Sequence, residues 1–451
     1  MPAGPAAETA EAPQDPLAIV RSRGYVTLLV MAAVLGVPIS AVAYGFLALV
    51  STLQSLVYDD LPRSLGFSGT PHWWAIPVLA VSGVLVALTI RHLPGRGGHE
   101  PAEGLKTGDT PSASAVPGVA LASIASLSLG VVLGPEAPLI ALGGGLAVGA
   151  IRFLQRDAPP SALALIGAAG SFAAISELLG SPVLGAFLLM EASGLAGRML
   201  GVVLVPGLLA AGIGSLIFTG LDSWTGLGTY SLSLAHVPPA DRPTLAAFGW
   251  AIAAGLTASL LGEAIRRSAL LLKTHVERRR MTLTVVAGVL IGALALLFTT
   301  LTGKSLSAVL YSGESTIGPL LADHAGYSVG ALVLLVVLKS LAYCLSLSAF
   351  RGGPVFPALF VGGAGGLALS HLPGLDTTTG FAIGVGALSV AMLKLPMTCV
   401  LLATLLLGAQ GLTVMPLVIV AVVVSYVVTL RIMRLQTLPV DGQRATGPTA
   451  P

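Results

Sequence analysis

The sequence predicts an all-α membrane protein that crosses the bilayer many times and contains helices broken inside the membrane. Of its 451 residues, 55% are hydrophobic and only 10% are charged, whereas soluble proteins carry about 25% charged residues. Apolar runs of about 17–25 residues, the length of a membrane span, recur along most of the chain. Two matching Gly/Pro motifs each lead into such a run, which indicates an internal repeat with a transport site between its halves.

The apolar segments follow one another at about 25–57, 73–93, 114–133, 137–155, 161–178, 182–218, 244–265, 281–302, 327–349, 355–372, 379–392, 396–410 and 414–430. Several of them are too short for an ordinary span, so we expect half-helices that end within the membrane. Irregular backbone at that depth survives only where it is buried in protein or lines a cavity. The 56 glycines favour close packing between the helices.

The chain is predicted to fold as two halves joined by an external loop. We place a first transmembrane repeat at 21–220, an external linker at 221–243 and a second, inverted repeat at 244–437. Residues 1–20 are rich in Pro, Ala and Glu and contain no apolar core of a signal peptide, so a disordered tail is expected. A short polar tail is expected at 438–451.

The distribution of basic residues predicts the orientation of the chain. Basic clusters mark cytoplasmic loops by the positive-inside rule. The loops around 58–73 and 221–242 contain fewer basic residues and are expected to be external. Both termini of this multi-pass protein then lie on the cytoplasmic side of the cell membrane. The clusters are Arg21/Arg23, Arg91/Arg96, Arg152/Arg156, Arg266 to Arg280 and Arg431/Arg434.

Several classes of function find no support in the sequence. A net charge of +3 is too small to indicate nucleic acid as a partner. Cys344 and Cys399 lie in apolar runs and are expected to be free buried thiols. The histidines have no metal-ligand spacing, and the acidic pair Asp59 and Asp60 has no second acidic motif beside it. We expect no metal and no cofactor, and we find no nucleophile and base that would indicate an enzyme.

The repeated motif carries the predicted site. Residues 134–144 read GPEAPLIALGG and residues 353–363 read GPVFPALFVGG. Proline suits the first turn of a helix, and the free amides of that turn bind anions without a cationic side chain. We expect such amides at Val355 and Phe356 in the second copy.

Only the first copy contains a carboxylate, that of Glu136. A carboxylate that occupies the site of a permeant anion acts as a gate, and its protonation opens the gate. The alternative is a glutamate that only caps its helix. The repeat and the location within the membrane favour the gate.

Other polar residues within or near apolar sequence remain open between two roles. Glu177 and Glu191 are assigned either to an ion pathway or to hydrogen-bonded packing. Arg351 either supports the structure or raises the local potential for anions. Lys339 and Lys394 are either ligands or extend towards the membrane surface, and we expect the extension.

The sequence resembles the CLC family of chloride channels and proton/chloride exchangers, and it is similar to a divergent bacterial member of that family. The family signatures GSGIP, GREGP and GIFAP are similar to 97–101 (GGHEP), 134–138 and 353–357. The stretch LGVVLGPEAPLIALGGGLA resembles the middle signature and its helix, and ELLGSPVLGAFLLME at 177–191 resembles the helix before the dimer interface. The likeness extends over about 25–435.

The resemblance implies a CLC-like fold with two inverted repeats, a pore in each subunit and a homodimer in the lipid bilayer. It makes Glu136 the counterpart of the gating glutamate. It implies anion contacts from backbone amides near Glu136, Ala137 and Val355. The candidate anion contacts also include Phe356 and the motif glycines Gly134 and Gly353.

The sequence also departs from the family pattern. The pore serine of the first signature falls on Gly98, which we keep as a candidate anion contact, and Glu100 nearby would repel anions if it faced the pore. Pro354 removes one amide donor. The inner proton glutamate of exchangers falls on Ala192, which indicates weak or absent proton coupling unless Glu191 substitutes for it. No aromatic residue follows Tyr426 to supply the late pore tyrosine.

The predicted function is therefore movement of chloride or another small anion, as a passive channel or as a proton-coupled antiporter. A fluoride-selective member is an alternative, because such members also depart at the central site. A secondary transporter for an organic anion would need a roomy pocket with paired arginines, which the sequence does not indicate.

Overall fold

The structure, a computed structural model, describes residues 20–105, 110–194, 198–232, 234 and 236–437. In this part of the chain the regular elements are helices, and 8 of them are long and apolar enough to cross a membrane. The predicted all-α membrane fold is confirmed. The predicted tails at 1–20 and 438–451 lie outside the described residues, apart from Val20. The α-helices are α1 (Arg23–Ser55), α2 (Leu61–Ser64), α3 (Ala75–His92), α4 (Val116–Leu127), α5 (Glu136–Leu154), α6 (Pro160–Ala174), α7 (Pro182–Ser193), α8 (Arg198–Thr225), α9 (Leu245–Arg278), α10 (Arg280–Thr302), α11 (Glu314–Ala322), α12 (Val329–Ala349), α13 (Val355–Leu369), α14 (Thr377–Leu393), α15 (Pro396–Leu406) and α16 (Ala409–Thr437).

Short apolar helices accompany the spans, as the short apolar segments predict. The helices α4, α6, α7, α13, α14 and α15 contain only 10–17 residues. Proline occupies the first turn of several of them, where its missing N–H is not needed. Many residues of α13 and α14 are fully buried, as expected for helices that end inside protein within the membrane.

The order of helix lengths is similar in the two halves. The helices α5 to α8 contain 19, 15, 12 and 28 residues. The helices α13 to α16 contain 15, 17, 11 and 29 residues. In each series the first helix begins inside one of the two repeated motifs. This succession agrees with an internal repeat, and its inverted symmetry stays a prediction.

Glycine allows the first two helices of each series to cross closely. Gly143 of α5 faces the carbonyl of Gly170 on α6, and Gly366 of α13 faces the carbonyl of Gly380 on α14. A Cβ atom at any of these positions would overlap the opposing backbone. Close approach through small residues is how membrane helices gain packing energy without a hydrophobic driving force.

Two boundaries differ from those expected. Helix α8 continues to Thr225 and α9 begins at Leu245, so the connection between the halves is 226–244. The Thr225 hydroxyl and the Tyr44 hydroxyl are 2.6 Å apart, and their hydrogen bond ties the last turn of α8 to α1. The apolar segment at 182–218 is divided between α7 and α8.

We predict that Gly366→Ala lowers the thermal stability of the purified protein, whereas Gly365→Ala does not. The new methyl group at Gly366 would overlap the Gly380 carbonyl, and such overpacking costs about 1–3 kcal/mol. A Cβ atom at Gly365 lies 3.9 Å from the nearest atom, Cγ2 of Val336. Thermal unfolding of both variants in the same detergent tests the prediction. Equal melting temperatures would contradict the close crossing of α13 and α14.

Candidate functional site

The two repeated motifs meet through their first glycines. The Gly134 N–H donates to the Gly353 carbonyl at 2.8 Å, and the Gly353 N–H donates to the Gly134 carbonyl at 2.6 Å. Immediately after this pairing, α5 begins at Glu136 and α13 begins at Val355. The prediction that the two helix starts converge is confirmed. Amide groups from separate halves of the chain therefore face one place.

The Glu136 carboxylate lies at this place and is fully buried. Its Oε1 atom accepts a hydrogen bond from the Val355 N–H at 2.5 Å. Its Oε2 atom has no hydrogen-bond partner among the described residues. The carboxylate thus occupies the amino-terminal end of α13, a helix of the other half, where the helix dipole favours negative charge. A buried carboxylate oxygen without a partner is costly, which is typical of functional rather than structural groups.

The paired glycines leave the space that this carboxylate fills. A Cβ atom at Gly353 would overlap the Cδ and Oε1 atoms of Glu136, and a Cβ atom at Gly134 would overlap Oε2. Phe356 also closes around Gly134. Glycine at both positions is therefore a requirement of close approach to Glu136.

Tyr343 is a residue of this site that the sequence analysis missed. It is fully buried on α12, and its hydroxyl donates to the Pro354 carbonyl at 2.7 Å. It also lies close enough to Glu136 for an electrostatic interaction. The resemblance implies a tyrosine late in the chain, where no aromatic residue follows Tyr426, whereas Tyr343 precedes the second motif. Its only signal in the sequence is a polar group within an apolar run near that motif.

Gly98 lies in the segment that resembles the first family signature, directly after the short 3₁₀ helix Pro94–Gly97. Its N–H donates to the Gly95 carbonyl at 2.8 Å, so this amide is already used within the loop. A Cβ atom at Gly98 would lie 3.2 Å from Cγ2 of Val119. An anion contact at Gly98 stays a prediction, as do the contacts predicted at Gly134, Ala137, Gly353 and Phe356.

Arg351 connects the segment around Gly98 to the start of the second repeated motif. Its side chain is only 3% exposed and donates to the carbonyls of Arg96 and Phe350, at 3.4 and 3.2 Å. It also donates to Oε1 of Glu100 at 3.3 Å. These contacts favour the structural role for Arg351 over a free positive charge in the pore.

Glu100 is held in a cluster of opposite charges. Besides Arg351, it contacts Lys273, and its Oε1 lies 3.8 Å from an Nη atom of Arg280. Partial burial opposes ionisation, but the hydrogen bond from Lys273 and the nearby positive charges lower the pKa of Glu100 below its ordinary value. Glu100 is therefore a compensated carboxylate and does not present an isolated negative charge.

The two other candidate carboxylates make packing contacts. Glu191 accepts hydrogen bonds from the N–H groups of Met397 and Thr398, at 3.0 and 2.7 Å, and from the Thr398 hydroxyl at 2.6 Å. It therefore caps the amino-terminal end of α15. Glu177 accepts a hydrogen bond from the Ser215 hydroxyl. A proton role for Glu191 stays a prediction, and its carboxylate is already committed to a helix end.

The expectation for Lys339 is wrong, because its side chain does not extend to the membrane surface. Lys339 is fully buried, and its ammonium group donates to four consecutive carbonyls, those of 308–311, at 3.0–3.3 Å. It also lies 4.2 Å from the centre of the Phe360 ring. The backbone of 308–311 supplies the partners that sequence alone does not reveal. Lys394 follows the last residue of α14 and has a φ of 61°, and its extension towards the membrane surface stays a prediction.

The described residues contain no cluster of metal-ligating side chains and no disulfide. No group of three or more His, Cys, Asp or Glu side chains there could hold a metal ion. Cys344 and Cys399 are both free and buried, as predicted.

Comparison with known sequences identifies relatives over most of the chain. Residues 78–430 match the family model described as voltage gated chloride channel. The chain is 30% identical over 360 residues to "Putative ion-transport protein YfeO" of Escherichia coli O9:H4 (strain HS), with 78% of this chain and 81% of that protein covered. The protein of the same name from Shigella boydii serotype 4 (strain Sb227) is 30% identical over 364 residues, with the same coverage.

Solved structures share the fold. The structure of a CLC-type fluoride/proton antiporter has a TM-score of 0.68 at 19% identity, covering 90% of this chain and 95% of that one. A slow cyanobacterial Cl⁻/H⁺ antiporter has a TM-score of 0.72 at 19% identity, covering 90% and 94%. The shared fold and the family match over 78–430 agree with the CLC resemblance of the two motifs that meet at Glu136. The chain belongs to the voltage gated chloride channel family, the CLC family.

Proposed function

We propose that this protein moves chloride or another small anion across the cell membrane, through a pathway in each subunit of a homodimer. The observation that carries the proposal is the hydrogen bond between the Glu136 carboxylate and the Val355 amide. An anionic side chain placed on free helix-end amides occupies a position that a permeant anion would also favour. Glu136 is therefore the proposed gate, and the basic loops and both termini are placed in the cytoplasm.

We expect weak or absent proton coupling across the whole membrane. Ala192 replaces the inner proton glutamate that the resemblance implies, and the neighbouring Glu191 caps α15 through three hydrogen bonds. Protons act instead on Glu136 itself, by removing the negative charge that competes with the anion. The fluoride-selective alternative is supported by the fold shared with a fluoride/proton antiporter. Flux assays with chloride, fluoride and nitrate separate these alternatives.

We expect Glu136→Gln to fold, to preserve or raise anion flux, and to lose most of the acid dependence of that flux. Gln is similar in shape to Glu but carries no charge that could compete for the Val355 amide. Anion efflux from liposomes tests this, measured from about pH 4.5, just above the ordinary pKa of a glutamate, to about pH 7.5. Glu177→Gln is the matched control and should keep the wild-type pH profile. Unchanged flux and pH profile in Glu136→Gln would reduce Glu136 to a helix cap.

We expect Gly353→Ala to resemble an open gate. Its methyl group would overlap the Glu136 carboxyl group, which is the flexible end of a side chain and must move away from Val355. Flux at neutral pH should rise towards the level of Glu136→Gln. Gly365→Ala, in the same helix, should behave as wild type. Acid dependence retained in full by a folded Gly353→Ala protein would contradict the proposed competition for the Val355 amide.

We expect two subunits per particle in lipid. The described surface exposes many large apolar side chains, as a protein surrounded by lipid and a second subunit requires. Counting of fluorescently labelled subunits in single liposomes tests the assembly. A population of monomers alone, at all protein-to-lipid ratios, would exclude the homodimer.

A further inference from the structure

A cavity of about 440 Å³ reaches Pro135, the residue before Glu136, from the side of the interhelical connection at 226–244. Its polar wall includes Thr229, Ser231, Ser312 and Ser315. One carboxylate also lines it, that of Glu314 at the start of α11. Glu314 lies outside both repeated motifs.

Glu314 is half-buried and lies close enough to Glu136 for the two carboxylates to repel each other. Neither carboxylate has an ion pair among the described residues. The buried Lys339 does not line this cavity, and its ammonium group donates to the carbonyls of 308–311. The titratable groups that share the cavity with Glu314 are the hydroxyls of Tyr230 and Tyr311.

The backbone holds Glu314 in this position. The segment before it is fixed by the four hydrogen bonds from Lys339, and the Tyr311 N–H donates to the Gly130 carbonyl at 3.2 Å. Gly313 packs directly against the Phe360 ring on α13. Glu314 is thus attached both to the loop that leads into Glu136 and to the helix that binds its carboxylate.

The same wall contains unusual backbone conformations. Tyr230 and Tyr311 adopt positive φ angles of 52° and 59°. Such conformations cost about 1–3 kcal/mol each for residues other than glycine, and they concentrate at functional sites. Here two of them border one cavity beside one carboxylate.

We propose that Glu314 and Glu136 together bind a proton delivered through this cavity, and that this shared proton controls opening. The inference rests on the proposed function. Two neighbouring carboxylates that repel each other and have no ion pair hold one proton between them over a wide pH range, because ionising both is unfavourable. Glu314 is exposed to the cavity and Glu136 is not, so Glu314 receives the proton and passes it to Glu136. Glu136 then loses its charge and releases the Val355 amide, while Glu314 regains its charge.

The test measures anion efflux against pH for wild type, Glu314→Gln, Glu136→Gln and the double variant, all as full-length protein in liposomes. Glu314→Gln removes a negative charge that disfavours ionisation of Glu136. The midpoint of acid activation should therefore move to lower pH by about one unit, with the maximal flux at low pH retained. The control Asp323→Asn removes a carboxylate at the other end of α11, which is paired with Lys304 at 3.6 Å. It should leave the midpoint unchanged.

The double variant distinguishes a shared proton from a general effect of charge. In the Glu136→Gln background, Glu314→Gln should cause no further shift, because the partner carboxylate is gone. If Glu314→Gln does not fold, Glu314→Ser is measured in its place, with the same shift expected. A folded Glu314 variant with the wild-type midpoint, or a shift that persists without Glu136, overturns this inference and leaves the proposed function standing. Absence of anion flux in wild type overturns both.

Discussion

The pairing of Gly134 with Gly353 is the contact on which the rest of the structure depends. Two backbone hydrogen bonds bring the amino-terminal ends of α5 and α13, from separate halves of the chain, to one place. Because neither residue has a side chain, the Glu136 carboxylate fits between them and reaches the Val355 amide. The proposed anion site is therefore made of helix ends, which attract anions without binding them as strongly as a buried arginine would.

The treatment of other buried charges makes Glu136 stand apart. Lys339 donates hydrogen bonds to four carbonyls, and Arg351 donates to two carbonyls and to the Glu100 carboxylate. Glu191 satisfies the amides of a helix end. Burial of a charge is costly unless such partners are present. Glu136 has one oxygen without a hydrogen-bond partner among the described residues, and its carboxylate is close enough to that of Glu314 for the two to repel each other. A cost that is avoided at Lys339, Arg351 and Glu191 is retained at the place where a change of charge would control transport.

The two ends of the proposed pathway differ in their electrostatics. On the basic side, Glu100 belongs to a cluster with Lys273, Arg280 and Arg351, which keeps it ionised and fixed. On the opposite side, Glu314 lines a cavity with hydroxyl groups and has no ion pair in the described part of the chain. A carboxylate within a cluster of positive charges takes up a proton only at low pH. A carboxylate that is repelled by a second carboxylate takes up a proton at higher pH. Sensitivity to protons is therefore expected from the side of Glu314.

The sequence by itself determined the membrane fold, the short helices and the position of the gate candidate, because these follow from local pattern. Apolar length sets the spans, Gly/Pro motifs start helices, and only one motif contains a carboxylate. Which groups meet was decided by tertiary structure. The partner of Glu136 is an amide from the other half, the partners of Lys339 are backbone carbonyls, and Tyr343 and Glu314 reach the site from helices without a motif. Backbone amides and carbonyls are the same in every residue, so no sequence pattern shows which of them a buried charge will contact.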